Sequence, residues 1–203
     1  MISSLNKAQN YVKKLLSNNH MDFKLVLNNL LKRFNEHNVR YALIGGFALG
    51  AHGVVRATVD IDFLVRRDDM TCVGVIMNDL GYKCSYKTEN VSQYISPLNI
   101  FGEVDFLHAF REISVGMIKR AEEKMMFNET LAVRILKVED LIGLKVQAMA
   151  NDERRKAIDL ADIEALVMLH KTSLDWNTVE EYFSLFGFEK LFAELKDRCL
   201  HAQ

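Results

Sequence analysis

Asp60 and Asp62 stand two residues apart inside an apolar run, residues 59–65, VDIDFLV. In an extended strand, residues i and i+2 share a face, so the two carboxylates lie side by side roughly 6.6 Å apart. At an effective dielectric near 20 their repulsion amounts to roughly 2–3 kcal/mol. A cation between them removes that cost, and carboxylate oxygens are what hard divalent cations take as ligands. A solvated edge strand is the other reading of an isolated D-x-D. The residues upstream bear on the choice. A first apolar run, residues 41–44, stops at Gly45-Gly46, and a turn of small residues follows over 47–52. Such a pair lets backbone N–H groups approach a phosphate closely. If the chain is already extended at Arg56, then Arg56 and Thr58 share the parity of the aspartates. Gly-Gly, spacer, Arg-x-Thr-x-Asp-Ile-Asp then reads as one phosphate-and-metal site.

A second strand is expected over residues 100–107, IFGEVDFL, with Glu103 and Asp105 on one face and Val104 and Phe106 on the other. Further on, the helical arc of Leu141, Ile142, Leu144, Val146, Ala148 and Met149 has Lys145 near its middle. Its stem either snorkels across the core or aims a cation into a cleft. The next helix repeats the anomaly with opposite sign. Asp159 and Asp162 fall among Ile158, Ile163, Leu166 and Leu169, where carboxylates need partners such as Arg155 or Lys145. His52, beside Gly53 at the end of a short helix, reads as a satisfied structural histidine.

The run from Gly45 to Asp62 resembles the signature of the nucleotidyltransferase superfamily with the DNA polymerase beta fold. Within it, the chain is most similar to the AbiEii-type toxins of abortive-infection and toxin–antitoxin systems. The resemblance spans residues 38–170 and includes Lys145 and the KAIDLAD run, residues 156–162. It implies transfer of a nucleoside monophosphate from an NTP to an acceptor, with release of pyrophosphate. It further implies two Mg²⁺ ions, with Mn²⁺ as the alternative, held by Asp60, Asp62 and Asp105. Asp105 matches as the third carboxylate, with Glu103 the alternative, and is also the implied general base. Gly45, Gly46, Arg56, Thr58, Lys145 and Asp159 would bind the nucleotide, and Lys145 is also implied as a catalytic residue that, with Arg56, offsets charge in the transition state; the roles of Asp159 and Asp162 stay open between them. The implied acceptor is RNA, such as the 3′ end of tRNA, with an antitoxin protein as partner. A small-molecule, aminoglycoside-like acceptor is the runner-up, and a non-catalytic nucleotide-binding protein the third reading.

The elements that must position these residues follow from periodicity. Helices are expected over residues 4–16 and 22–37, the second carrying Phe23, Val26, Leu27, Leu30, Leu31 and Phe34 at helical spacing. A helix starting at Asp68 ends at Gly81. Polar, β-compatible segments fill 82–95, a short helix 112–123, and a hairpin pairs 124–127 with 131–136. Helices then cover 138–150, 154–170, 176–185 and 188–199. The class is α/β (α+β): a mixed-sheet core over residues 1–137 with N-terminal helices, and a helical subdomain over 138–203 that completes the cleft.

Composition is consistent with this and adds exclusions. The chain has 203 residues, 49% hydrophobic and 26% charged, with a formal net charge of −1. That balance gives no global electrostatic case for nucleic-acid binding, although Arg66-Arg67, Lys119-Arg120 and residues 154–156 are local basic groups. Three widely spaced cysteines make neither a disulfide framework nor a zinc site and fit a reducing compartment. No apolar window is long enough to span a bilayer, and the first twenty residues do not read as a secretory signal, so a cytoplasmic protein is expected, without membrane partners.

Overall fold

Alternation in two short strands sets the frame. A computed structural model describes residues 20–201. In β2, the second strand (Asp60–Arg66), Ile61, Phe63 and Val65 are fully buried. In β5 (Glu103–Ala109), Val104 and Phe106 are their counterparts. The two strands run parallel, with Asp60 opposite Glu103, Asp62 opposite Asp105 and Leu64 opposite Leu107. The apolar positions therefore share one face and the acidic ones the other.

The apolar face is covered by helix α1 (Phe23–Glu36). Asp22 caps it by accepting from the Leu25 N–H at 3.0 Å, and Val26, Leu27, Leu30, Leu31 and Phe34 form its buried stripe. Phe34 meets Phe63 edge-on at 5.4 Å, and Phe63 stacks on Phe106 at 5.8 Å. Each such fully buried side chain contributes about 1.5–3 kcal/mol. Strand β1 (Tyr41–Ile44) is buried throughout and lies antiparallel to β2. It leads into α2 (Gly45–Ala51), and α3 (Met70–Asp79) follows β2 after a short 3₁₀ turn. With β3 (Lys83–Lys87), β4 (Val91–Ile95), α4 (Glu112–Lys119), β6 (Glu122–Met126) and β7 (Leu131–Ile135), the sheet has seven strands in the order β3-β4-β5-β2-β1-β7-β6. Edge strand β3 is exposed along its length and has a lysine at either end, which disfavours pairing with another chain. Helices α5 (Val138–Asn151), α6 (Lys156–His170), α7 (Trp176–Leu185) and α8 (Glu189–His201) complete the described chain. The architecture is the mixed α/β arrangement expected.

Several boundaries differ from the periodicity. The helix expected over 112–123 stops at Lys119, because residues 122–126 pair antiparallel with β7, Glu122 opposite Ile135. The strands expected over 59–65 and 100–107 begin at Asp60 and Glu103. The helix expected over 154–170 begins at Lys156 after a 3₁₀ turn. Within it, Ile158 and Leu169 are exposed rather than inward, and the buried apolar side is Ile163, Leu166 and Val167. The stretch from Val54 to Thr58 is not a strand, so the parity placing Arg56 and Thr58 beside the aspartates does not apply. The helix expected over 4–16 lies outside the described residues. Cys72, Cys84 and Cys199 are free thiols. Among the described residues no helix is long and apolar enough to cross a membrane.

Candidate functional site

The i, i+2 spacing on β2 and the parallel register of β5 bring Asp60, Asp62 and Asp105 together, with one carboxylate oxygen from each within 4.8 Å of the others. All three are half-buried. Burial first, then the charges of Asp60 and Asp105, push the Asp62 pKa up to about 7. Burial also raises that of Asp105, against the hydrogen bond it accepts from Gln93. The Gln93 Nε2 donates to Asp105 Oδ2 at 2.9 Å from the facing position on β4. The other oxygen, Oδ1, is buried without a hydrogen-bond partner. An orphaned carboxylate oxygen in a cluster of three carboxylates is costly as it stands. A hard divalent cation would supply the missing partner, and an all-oxygen donor set suits it. Thr58 Oγ1 donates to Asp60 Oδ1 at 2.8 Å and orients that carboxylate. Glu103, the alternative third ligand, lies opposite Asp60 in the register and outside the cluster.

The glycine pair has a reason in the packing. Gly45 has φ +64°, and a Cβ there would stand 1.9 Å from Asp62 Oδ2. A Cβ on Gly46 would stand 2.6 Å from the Thr58 side chain. Both glycines therefore let the backbone entering α2 lie directly against the acidic cluster, which no larger residue permits.

On the facing helices, Lys145 is 12% exposed and its ammonium is turned inward. It donates to Asp159 Oδ1 at 3.0 Å and to Asp162 Oδ2 at 2.6 Å. Arg155 Nε donates to Asp159 Oδ2 at 2.9 Å, and Arg56 pairs with Asp162. Burial alone would raise the Asp159 pKa, but the hydrogen bonds from Arg155 and Lys145 outweigh it and hold the carboxyl below its usual value. A cavity of about 350 Å³ is lined by Gly45, Asp62, Gln93, Asp105, Lys145 and Asp159, among others. Gly46, Arg56, Thr58 and Asp60 do not line it and connect to it through their neighbours. Gln93 is the residue the sequence did not disclose, since only the β4–β5 register puts it against Asp105. His52 is structural: its Nε2–H donates to the Leu136 carbonyl at 2.8 Å, leaving Nδ1 to accept from Lys124 at 2.9 Å.

The profile of the family described as "Uncharacterised nucleotidyltransferase" matches residues 9–196. Among solved structures, ANT(2″)-Ia in complex with adenylyl-2″-tobramycin has 16% identity over 80% of this chain and 95% of its own, with a TM-score of 0.59. The lincosamide antibiotic adenylyltransferase LnuA, lincomycin-bound, has 18% identity over 72% and 97%, at 0.52. A putative nucleotidyltransferase from Thermotoga maritima has 14% over 70% and 96%, at 0.51. No curated protein matches the chain by sequence. These structural likenesses concern the fold.

Proposed function

The chain belongs to this nucleotidyltransferase family, and we propose that it transfers a nucleoside monophosphate from an NTP to an RNA acceptor at the Asp60, Asp62 and Asp105 cluster. The observation carrying the reading is that cluster, with the partnerless Asp105 Oδ1 inside it. Asp60, Asp62 and Asp105 would hold Mg²⁺ or Mn²⁺, whose chemistry is Lewis-acid polarisation of the attacking hydroxyl and offset of the triphosphate charge. The acceptor oxygen attacks the α-phosphorus, the bond from that phosphorus to the β-phosphate bridging oxygen breaks, and pyrophosphate leaves. Asp105 takes the hydroxyl proton; its raised pKa makes it a stronger base than an ordinary carboxylate. Gln93 holds that carboxylate in place through Oδ2. The backbone N–H groups of Gly45 and Gly46, at the start of α2, would bind the phosphates, and Lys145, Arg155 and Arg56 would offset their charge. Residues 138–203 act in this reading as a helical subdomain closing the cleft over the core of residues 1–137. The test is incubation with each labelled NTP, Mg²⁺ and total cellular RNA. Label appearing on RNA with the wild type and not with Asp62→Ala is the expected result; label on no RNA counts against it.

The substrates named for ANT(2″)-Ia and LnuA favour a second reading, a small-molecule acceptor. Parallel incubations with tobramycin and lincomycin separate the two. The resemblance to AbiEii-type toxins adds a cellular role, a toxin held in check by an antitoxin. Expression of the wild type should then slow host growth where Asp62→Ala does not.

A further inference from the structure

Along the acidic face of β2 and β5, the pair Asp62 and Asp105 is followed two residues on by Leu64 and Leu107. The pleat places this second pair about 6.6 Å further along the same face. There it floors a second cavity, of about 340 Å³. Val91, Leu107 and Leu144 line both cavities, so the two adjoin. Strand order puts β5, with Asp105, on one flank of the β2 aspartates and β1, with the glycine pair, on the other. The second cavity draws on β5 and the residues entering β4, not on β1. An acceptor whose hydroxyl reaches Asp105 thus has room for its body here, away from the flank of Gly45.

The lining states what that body is. Met117, Leu144 and Leu185 give apolar walls on three helices. Gln147 and Asn151 present amide groups that have no hydrogen bond among the described residues. No carboxylate lines the cavity, and Arg111 is its one arginine. Arg67, outside the lining, lies 3.5 Å over the ring of the lining residue Phe110, and its charge is paired with Glu89 at 2.9 Å. A polycationic amino sugar seated here would meet no carboxylate in this lining and would face Arg111. A planar uncharged ring with donors and acceptors on its edge matches apolar walls and free amides, and the phosphate attached to it matches Arg111.

We propose that this second cavity is the acceptor subsite and takes the terminal nucleobase of a single-stranded RNA. The proposal rests on the reading of Asp60, Asp62 and Asp105 as the transfer site. The test is fluorescence anisotropy of a labelled short single-stranded oligoribonucleotide with the full chain, for wild type, Gln147→Leu and Ser114→Trp. Gln147→Leu removes the amide at nearly constant size, and Ser114→Trp fills the cavity from α4. Both should weaken binding at least tenfold while keeping the melting shift produced by NTP with Mg²⁺. An oligoribonucleotide that does not bind the wild type, or binds both variants as tightly, overturns the proposal. So does tobramycin that binds the wild type and is lost in both variants. Absence of any NTP and Mg²⁺ melting shift in the wild type would instead sink the transfer-site reading, while the anisotropy still decides whether the cavity holds RNA.

Discussion

Substituting Asp62 removes a proposed metal ligand and relieves a repulsion in the same step, which separates its effects on activity and stability. Nucleotidyl transfer by Asp62→Ala is expected to fall by roughly 10³-fold or more, the scale on which loss of one charge-stabilising group costs about 3–4 kcal/mol. Its melting temperature at pH 8 should be no lower than that of the wild type, because burial and two neighbouring carboxylates already oppose the Asp62 charge. Turnover close to wild type would remove Asp62 from the site, and a variant that unfolds would make it structural. Lys145 is the contrasting case. In Lys145→Met, Asp159 keeps Arg155 and Asp162 keeps Arg56, so neither buried carboxylate is left alone. The stability loss should be about 1–2 kcal/mol, below the 3–5 kcal/mol typical of an orphaned buried charge. The stabilisation by NTP with Mg²⁺ should fall sharply, since it follows affinity. Paired melts with and without ligand measure both effects; an undiminished ligand shift would confine Lys145 to holding α5 and α6 together.

Lys145 points where it does because α5 is clamped at its other end. Asp140, fully buried in the first turn, accepts from Arg120 Nε at 2.8 Å, from Arg120 Nη2 at 2.5 Å and from Tyr182 Oη at 2.7 Å. This joins α5 to the end of α4 and to α7. Asp140→Asn should cost about 2–3 kcal/mol, less than a fully enclosed pair because Arg120 remains 41% exposed. Tyr182→Phe should cost about 1 kcal/mol. Denaturant melts of the two variants give the comparison, and equal midpoints would mean that the clamp carries no weight. From the sequence, Asp140 reads only as an acid placed favourably for the helix dipole, and Tyr182 only as packing. What was legible is local: the period-2 runs of β2 and β5, the stripe of α1, the aspartates on one strand face, and the inward Lys145. What was not legible depends on partners far along the chain. Residues 120–123 read as a continuing helix because nothing nearby announces that Glu122–Met126 will pair with β7. Ile158 and Leu169 read as inward because helical spacing gives an arc but not the neighbour it meets. Gln93 has no signal at all without the β4–β5 register.

Among the described residues, five aspartates at the site (60, 62, 105, 159 and 162) face three cations, Lys145, Arg56 and Arg155. The excess is concentrated at the cluster of Asp60, Asp62 and Asp105, because the cations are engaged by Asp159 and Asp162. This ties global stability to pH and to metal. The Asp62 pKa rises from 3.8 to about 7 on folding, so between those values the folded chain holds more protons than the unfolded one. By linkage, stability from this group is fully present below about pH 4, declines as pH rises, and is lost once pH passes about 7. At about 1.4 kcal/mol per pH unit the total is at most about 4 kcal/mol. A divalent cation at the cluster offsets the same charge, so it competes with the proton. Adding Mg²⁺ alone should therefore raise the melting temperature of the wild type clearly at pH 8 and much less at pH 5.5, and EDTA should reverse the rise. Asp62→Asn keeps the size of the side chain and removes its titration. That variant should melt with a flatter pH dependence and show a much smaller Mg²⁺ shift at pH 8. A shift of equal size at both pH values, or one undiminished in Asp62→Asn, would mean that the ion binds elsewhere on the chain, and the partnerless oxygen of Asp105 would then need another partner.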